Sequence, residues 1–217
     1  MASTSLPSSD LAASPALDDE KARQILDGAR RVFLAQGFDG ASMNDIARTA
    51  GVSKGTIYFH FESKEVLFEA LIRAERQQQA EQCCVVDEDN PDVAAVLTRL
   101  GRSFLTMMMS PELIAQVRTV IAVAAKFPRI GRAFYETGPQ HGHDQLCAYF
   151  AKQHEAGRLN APEPDIAAIH FIQLCFGDIH KRLMFCPLDP ISDGEVESTI
   201  ASAISVFMRA YGPKEAP

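Results

Sequence analysis

Between Ser42 and Lys64 the chain sets out hydroxyl, ammonium, aromatic and glycine residues at spacings suited to gripping a polyanion. Two short helical patterns lie here. Ser42 is a good N-cap, with Asp45 three residues on in place of the usual Glu of a capping box, and Met43, Ile46, Ala47 and Ala50 mark the inner face of the first. Gly51 breaks that helix, and Ser53 caps a second whose Ile57 and Phe61 face inward. Small Ala47 stands at the expected crossing, where a large residue would hold the helices apart. With Val52, Ile57 and Phe61 anchoring the second helix from below, Lys54, Gly55, Thr56, Tyr58 and Phe59 are left near the outer surface. Such a helix-turn-helix, over residues 42 to 61, can insert one helix into the major groove of duplex DNA. Ser42 and Ser53 would bring hydroxyls and free helix N–H groups toward phosphates. Gly55 would let backbone approach the groove, and the Thr56 methyl would meet a thymine methyl. Lys64, opening the next helix, would position the docked unit by charge. His60 has two uses open to it, a phosphate contact or packing against the following helix.

Other reactive residues form weaker patterns. His141-x-His143 lies beside Cys147, four residues on from His143, and Cys83-Cys84 sit near a connector. A transition metal wants three or four converging ligands, and the sequence does not gather them; Gly138, Pro139 and Gly142 read as a helix start instead. Adjacent cysteines become a switch only with a lowered pKa and exposure. No metal or cofactor is therefore expected, and a metal- or redox-sensing regulator stands as an alternative, beside a helical protein-interaction module that ignores DNA. His170, His180, Asp165 and Asp178 fall on one predicted helix with no serine elbow, nucleotide loop or paired acid site, so the chain does not read as an enzyme. His170 and Asp178 are not helix neighbours.

The elements that must position these residues are all helical, about nine of them, and no run alternates at period two for long enough to make a strand. Residues 1–17, rich in Ser, Ala and Pro, read as a disordered arm. A DNA-binding domain follows over 18–64, its first helix near 19–36 carrying Ile25, Ala29, Val32 and Phe33 and ending at Gly37. A connecting helix spans 65–84. A larger ligand-binding and dimerisation domain fills 85–211, with helical segments at Val93 to Met109, 112–125, 129–136, 140–156, 165–184 and 193–211, before a flexible tail over 212–217. The net charge of −7 over 217 residues looks unfavourable for a DNA binder, yet from Lys21 to Ala80 there are 9 Lys/Arg against 7 Asp/Glu. A local basic face can release counterions inside an acidic chain. Five cysteines without a ligand-spaced CxxC suit a reducing cytosol. No signal peptide and no apolar run of roughly 20 residues is seen, so a cytoplasmic protein without a membrane partner is expected.

From Ile25-Leu26 through Phe33, Gly37-Phe38, Ser42 and Ile46-Ala47 to Gly51-Val52-Ser53-Lys54-Gly55-Thr56-Ile57-Tyr58-Phe59-His60-Phe61-x-x-Lys64, the chain strongly resembles the TetR-type family of bacterial regulators. The resemblance implies that the recognition helix begins at Ser53. It further implies that Tyr58 and Lys64 contact phosphates and that positions 54 to 56 and 59 face the bases. Members bind palindromic operators as dimers and usually repress transcription. Residues 93–211 resemble the family's more variable regulatory domain. Ser110-Pro111-Glu112-Leu113 with Val120 to Phe134-Tyr135 is similar to regulators of efflux and solvent tolerance, which implies a small lipophilic or aromatic effector.

A cavity for such an effector would draw on Phe104, Met107, Met108, Val120, Val123 and Phe127, with Tyr149, Phe150, His170, Leu174 and Cys175 from later helices. The same residues equally suit an ordinary core. On the last two helices, Ala168, Ile169, Ile172, Phe176 and Ile179 accompany a stripe of Val196, Ile200, Ala203, Ile204 and Phe207. Each would bury within its own subunit or against a partner; the resemblance favours a two-subunit, four-helix interface.

Overall fold

Helix α1 (Glu20–Gly40) buries Ala22, Ile25, Leu26, Ala29, Val32 and Phe33 along one stripe, as its helical period requires. The computed structural model describes residues 20–83 and 90–213, the side chains of 77–83 excepted. The expected arm at 1–17, Cys84, most of the 85–92 connector and residues 214–217 lie outside the described residues. Near its end α1 is interrupted at Gly37 (φ 69°, ψ 177°), and Phe38 turns back into the core. There Phe38 stacks on Phe33 at 5.9 Å between centroids, and both rings meet Phe68.

Helices α2 (Met43–Ala50) and α3 (Lys54–His60) follow, then α4 (Lys64–Cys83), whose Leu67, Phe68 and Leu71 close this core. Helices α1 and α2 cross closely. A Cβ placed on Gly28 would stand 2.6 Å from the Ala50 Cβ, so only glycine lets the two backbones approach this closely. Gln24 Nε2 seals the junction by donating to the Ala50 carbonyl at 2.6 Å.

The chain divides into two compact units, one to Leu71 and one from Ile72. The second contains α5 (Val93–Met108), α6 (Pro111–Ala124), α7 (Pro128–Tyr135), α8 (His141–Glu155), α9 (Pro164–Phe176), α10 (Ile179–Phe185) and α11 (Asp193–Tyr211). Its core is built where α5, α8, α9 and α11 pack together. Phe150, Phe171 and Phe207 form its centre, at 5.1 to 5.9 Å between centroids. No strand occurs among the described residues.

Two local departures from the sequence reading have backbone causes. The single helix expected over 165–184 is broken into α9 and α10 at Gly177 (φ 50°, ψ −135°), a conformation outside the helical region. The segment around Pro139 is a π-helical turn, Glu136–Gln140, that carries α7 on into α8. Proline supplies no amide donor, which suits it to such an interruption of the regular ladder.

Candidate nucleic-acid interface

The α2–α3 unit is set by short-range hydrogen bonds. Ser42 Oγ accepts from the Asp45 amide at 3.1 Å and donates to Asp45 Oδ2 at 2.6 Å, while Asp45 Oδ1 pairs with Arg48 at 2.5 Å. Gly51, in the left-handed region (φ 67°, ψ 33°), caps α2. The Val52 amide then bonds the Ala47 carbonyl at 3.0 Å. Ser53 Oγ accepts from the Thr56 amide at 3.0 Å and lies 2.8 Å from Thr56 Oγ1. Both serine hydroxyls are thus already committed to their own helix ends.

Ile57 and Phe61, four residues apart, are buried and fix the roll of α3. The opposite face carries Lys54 and Gly55, both exposed, with Tyr58 at 44% and Phe59 at 85% exposure. Lys54 Nζ lies 6.0 Å from the centre of the Tyr58 ring. Thr56 is half-buried beside its cap. His60 is half-buried too, meeting Phe59 edge-on at 5.2 Å and Phe61 at 6.3 Å. An exposed aromatic pair on a helix only seven residues long contributes nothing to this unit's core.

Lys64 differs from expectation. Its Nζ donates to the carbonyls of Phe38 at 2.7 Å and Ala41 at 3.0 Å and sits 4.5 Å from the centre of the Phe38 ring. The ammonium ties the start of α4 to the turn after α1, because Gly37 leaves carbonyls there outside the helical ladder. It is a brace in this structure rather than an outward cation.

The residues expected to line an effector cavity are spread among several environments. Tyr149, Phe150 and Cys175 sit deep in the second unit's core, and burial pushes the Cys175 thiol up to about 12. Val120 and Val123 are buried on α6, while Phe104 meets Phe176 at a tilt, 5.0 Å between centroids. Met107, Met108 and Phe127 are half-buried. His170 is exposed, with Nδ1 2.6 Å from Tyr211 Oη. An open hollow of about 330 Å³ is lined by His170, Gln173, Leu174, Val206, Phe207, Ala210 and Tyr211. It therefore touches α9 and α11, the helices assigned from sequence to dimerisation.

On those helices the expected contact stripe is already covered. Ala168, Ile179, Val196, Ile200, Ala203 and Phe207 are buried within this one chain, Ile172 and Ile204 pack partly against the same core, and Phe176 is half-buried beside Phe104 and His180. Of that set Ile169 is exposed, at 43%, joined by Ile166 at 40% and Val206 at 46%. The apolar stripe of α11 faces α5 and α9, so any partner face starts one step round the helix.

A polar cluster absent from the sequence reading lies inside the second unit. Arg76, only 5% exposed, donates from Nη2 to Gln116 Oε1 at 3.0 Å and lies 4.1 Å from the centre of the Phe134 ring. Gln116 Nε2 in turn donates to Glu75 at 2.5 Å. Burial lowers Arg76 to about 10, against the opposing pull of Glu75. Single residues 40 positions apart carry no periodic signal that would have joined them. Of the residues considered for catalysis, His180 stacks on Phe176 at 4.6 Å, and His170 Nδ1 lies 2.6 Å from Tyr211 Oη.

Comparison with known proteins agrees with this geometry. Residues 25–71 match the family model described as bacterial regulatory proteins, tetR family, and residues 95–213 match that of the AefR-like transcriptional repressor, C-terminal domain. The chain is 34% identical over 169 residues to the HTH-type transcriptional repressor Rv1474c of Mycobacterium tuberculosis, covering 74% of this chain and 81% of that protein. A TetR-family structure from Mesorhizobium loti superposes with a TM-score of 0.83 at 30% identity, over 88% of this chain and 96% of the other. The flavonoid-responsive regulator FrrA is similar with a TM-score of 0.79 at 30% identity, over 90% and 98%.

Proposed function

The chain belongs to the TetR family of bacterial transcriptional regulators, and from that premise we propose that it is a ligand-responsive repressor working in the cytoplasm. It holds a palindromic operator as a homodimer and is released by a small lipophilic or aromatic effector. Its role is binding rather than catalysis. The observation that carries the reading is the outward face of α3, where Lys54, Gly55, Tyr58 and Phe59 stand exposed on a helix locked by Ser53 and Ile57. Tyr58 meets the phosphate backbone, Lys54, Gly55, Thr56 and Phe59 meet base edges, and the two capping serines present helix ends to flanking phosphates. His60 supports Phe59, and Lys64 steadies the unit from behind.

Homodimers form through the surface beside the buried stripe, using Ile166, Ile169 and Val206 around the hollow between α9 and α11. The likeness to a regulator named flavonoid-responsive supports an aromatic effector. The effector acts by binding the operator-competent and operator-incompetent arrangements unequally.

Selection of bound duplexes from a random pool tests this reading. A palindromic consensus is expected, with Tyr58→Ala weakening all selected duplexes and Phe59→Ala weakening them and relaxing sequence preference. An aromatic panel that includes flavonoids should contain a compound that dissociates the complex. Failure of the folded wild-type chain to select any duplex, with and without the panel, would sink the proposal.

A further inference from the structure

Where α8 begins and α9 begins, three different metal-ligand types come together. His143 and Cys147 lie four residues apart on one face of α8, and Asp165 reaches them from the first turn of α9. One donor atom from each lies within 4.8 Å of the other two. His143 Nε2 is 3.4 Å from Asp165 Oδ1 and 3.4 Å from the Asp165 carbonyl oxygen. Cys147 Sγ is 3.6 Å from Nε2 and 3.7 Å from Nδ1. His141 is not part of the group; its Nε2 lies 3.1 Å from Gln145 Nε2.

Two of these separations have the lengths of a tetrahedral ion's edges. With metal–nitrogen and metal–oxygen bonds of about 2.1 Å and a metal–sulfur bond of about 2.3 Å, tetrahedral edges come to about 3.4 Å for N···O and about 3.6 Å for N···S. The Nε2–Oδ1 and Nε2–Sγ separations are near those lengths, and Cys147 Sγ, about equally far from both ring nitrogens, has to swing toward one of them to share an ion with it. Asp144 Oδ1, 3.5 Å from His143 Nδ1, stands where a carboxylate orients a ligating imidazole through its other nitrogen. His143 is largely buried, Cys147 half-buried, and Asp165 is 69% exposed, so an ion can reach the site through the carboxylate.

We propose that His143, Cys147 and Asp165 form a divalent transition-metal site of the zinc class, with a fourth position open to water. One thiolate, one imidazole and one carboxylate match zinc better than the all-oxygen shells of magnesium or calcium. Occupation ties α8 to the first turn of α9, the helix that carries exposed Ile166 and Ile169. It therefore gives the second unit a metal input distinct from the aromatic effector, and it stands whether or not that effector reading does.

Titration of the reduced full-length chain with Co²⁺ tests the site directly. One equivalent per chain should produce a sulfur-to-cobalt charge-transfer band and the intense visible bands of tetrahedral cobalt, both removed by added Zn²⁺. Cys147→Ser should abolish the charge-transfer band, while Cys186→Ser and Cys83→Ser/Cys84→Ser leave it intact. His143→Gln and Asp165→Asn should each weaken the affinity by more than about tenfold. Zn²⁺ should raise Tm in the wild type but not in Cys147→Ser, with far-ultraviolet circular dichroism confirming equal helix content. No charge-transfer band in the wild type, or a band that survives in Cys147→Ser, would overturn the assignment.

Discussion

At Lys64 one ammonium bonds the carbonyls of Phe38 and Ala41, residues more than twenty positions earlier, and covers the Phe38 ring. A charged donor serving two carbonyls in a half-buried place is worth more than an exposed ion pair. Lys64→Met, which keeps much of the aliphatic stem, is therefore expected to destabilise the chain by about 1–2 kcal/mol in denaturant unfolding. The salt dependence of operator binding should not change. A phosphate anchor would behave in the opposite way, lowering the slope of log affinity against log salt by about one with little effect on stability. Tyr58 and Phe59 differ from Lys64 because their exposure has no internal use. Their removal should cost DNA affinity and leave the unfolding midpoint in place.

Among the elements, α11 shows how a helix start fixes the response to acid. Ser192 Oγ accepts from the Glu195 amide, and the Ser192 amide donates back to Glu195 Oε2 at 3.0 Å, a reciprocal capping box. Arg182 of α10 adds a bond to Glu195 Oε1 at 2.6 Å. The Ser192 amide first, then Arg182, hold the Glu195 carboxyl down at about 2, from an ordinary 4.5. A carboxyl whose folded value is depressed contributes stability above its unfolded value and loses it as pH falls through the folded value. The contribution is thus complete above about pH 4.5 and lost between there and about pH 2. Glu195→Gln should flatten that part of the stability–pH curve. An unchanged acid limb in chemical unfolding between those values would remove Glu195 from the account.

For the whole molecule, buried and exposed apolar residues on the same two helices lead to different outcomes. Phe207 is fully buried against Phe150 and Phe171, so Phe207→Ala should cost about 3–5 kcal/mol of folding stability. Ile169→Asp combined with Val206→Glu should leave the fold intact and shift the chain to monomer in sedimentation, because both side chains are exposed in the single chain. If that double variant remained dimeric, the partner face would lie elsewhere.

Short-range order is what the sequence by itself determined. Ser42, Ser53 and Gly51 act on groups three or four residues away, and Ile57 with Phe61 sets the roll of α3 by helical period alone. The all-helical class and the exposed α3 face follow from those signals. Only the tertiary structure decided what arrives from far along the chain. Gly28 against Ala50, Lys64 on the Phe38 carbonyl, Arg76 on Gln116 and Asp165 beside His143 all depend on how helices cross. The apolar stripe of α11 likewise could not reveal whether its cover was α5 and α9 or a second chain. Periodicity defines which side of a helix must leave water, while packing chooses the surface that covers it.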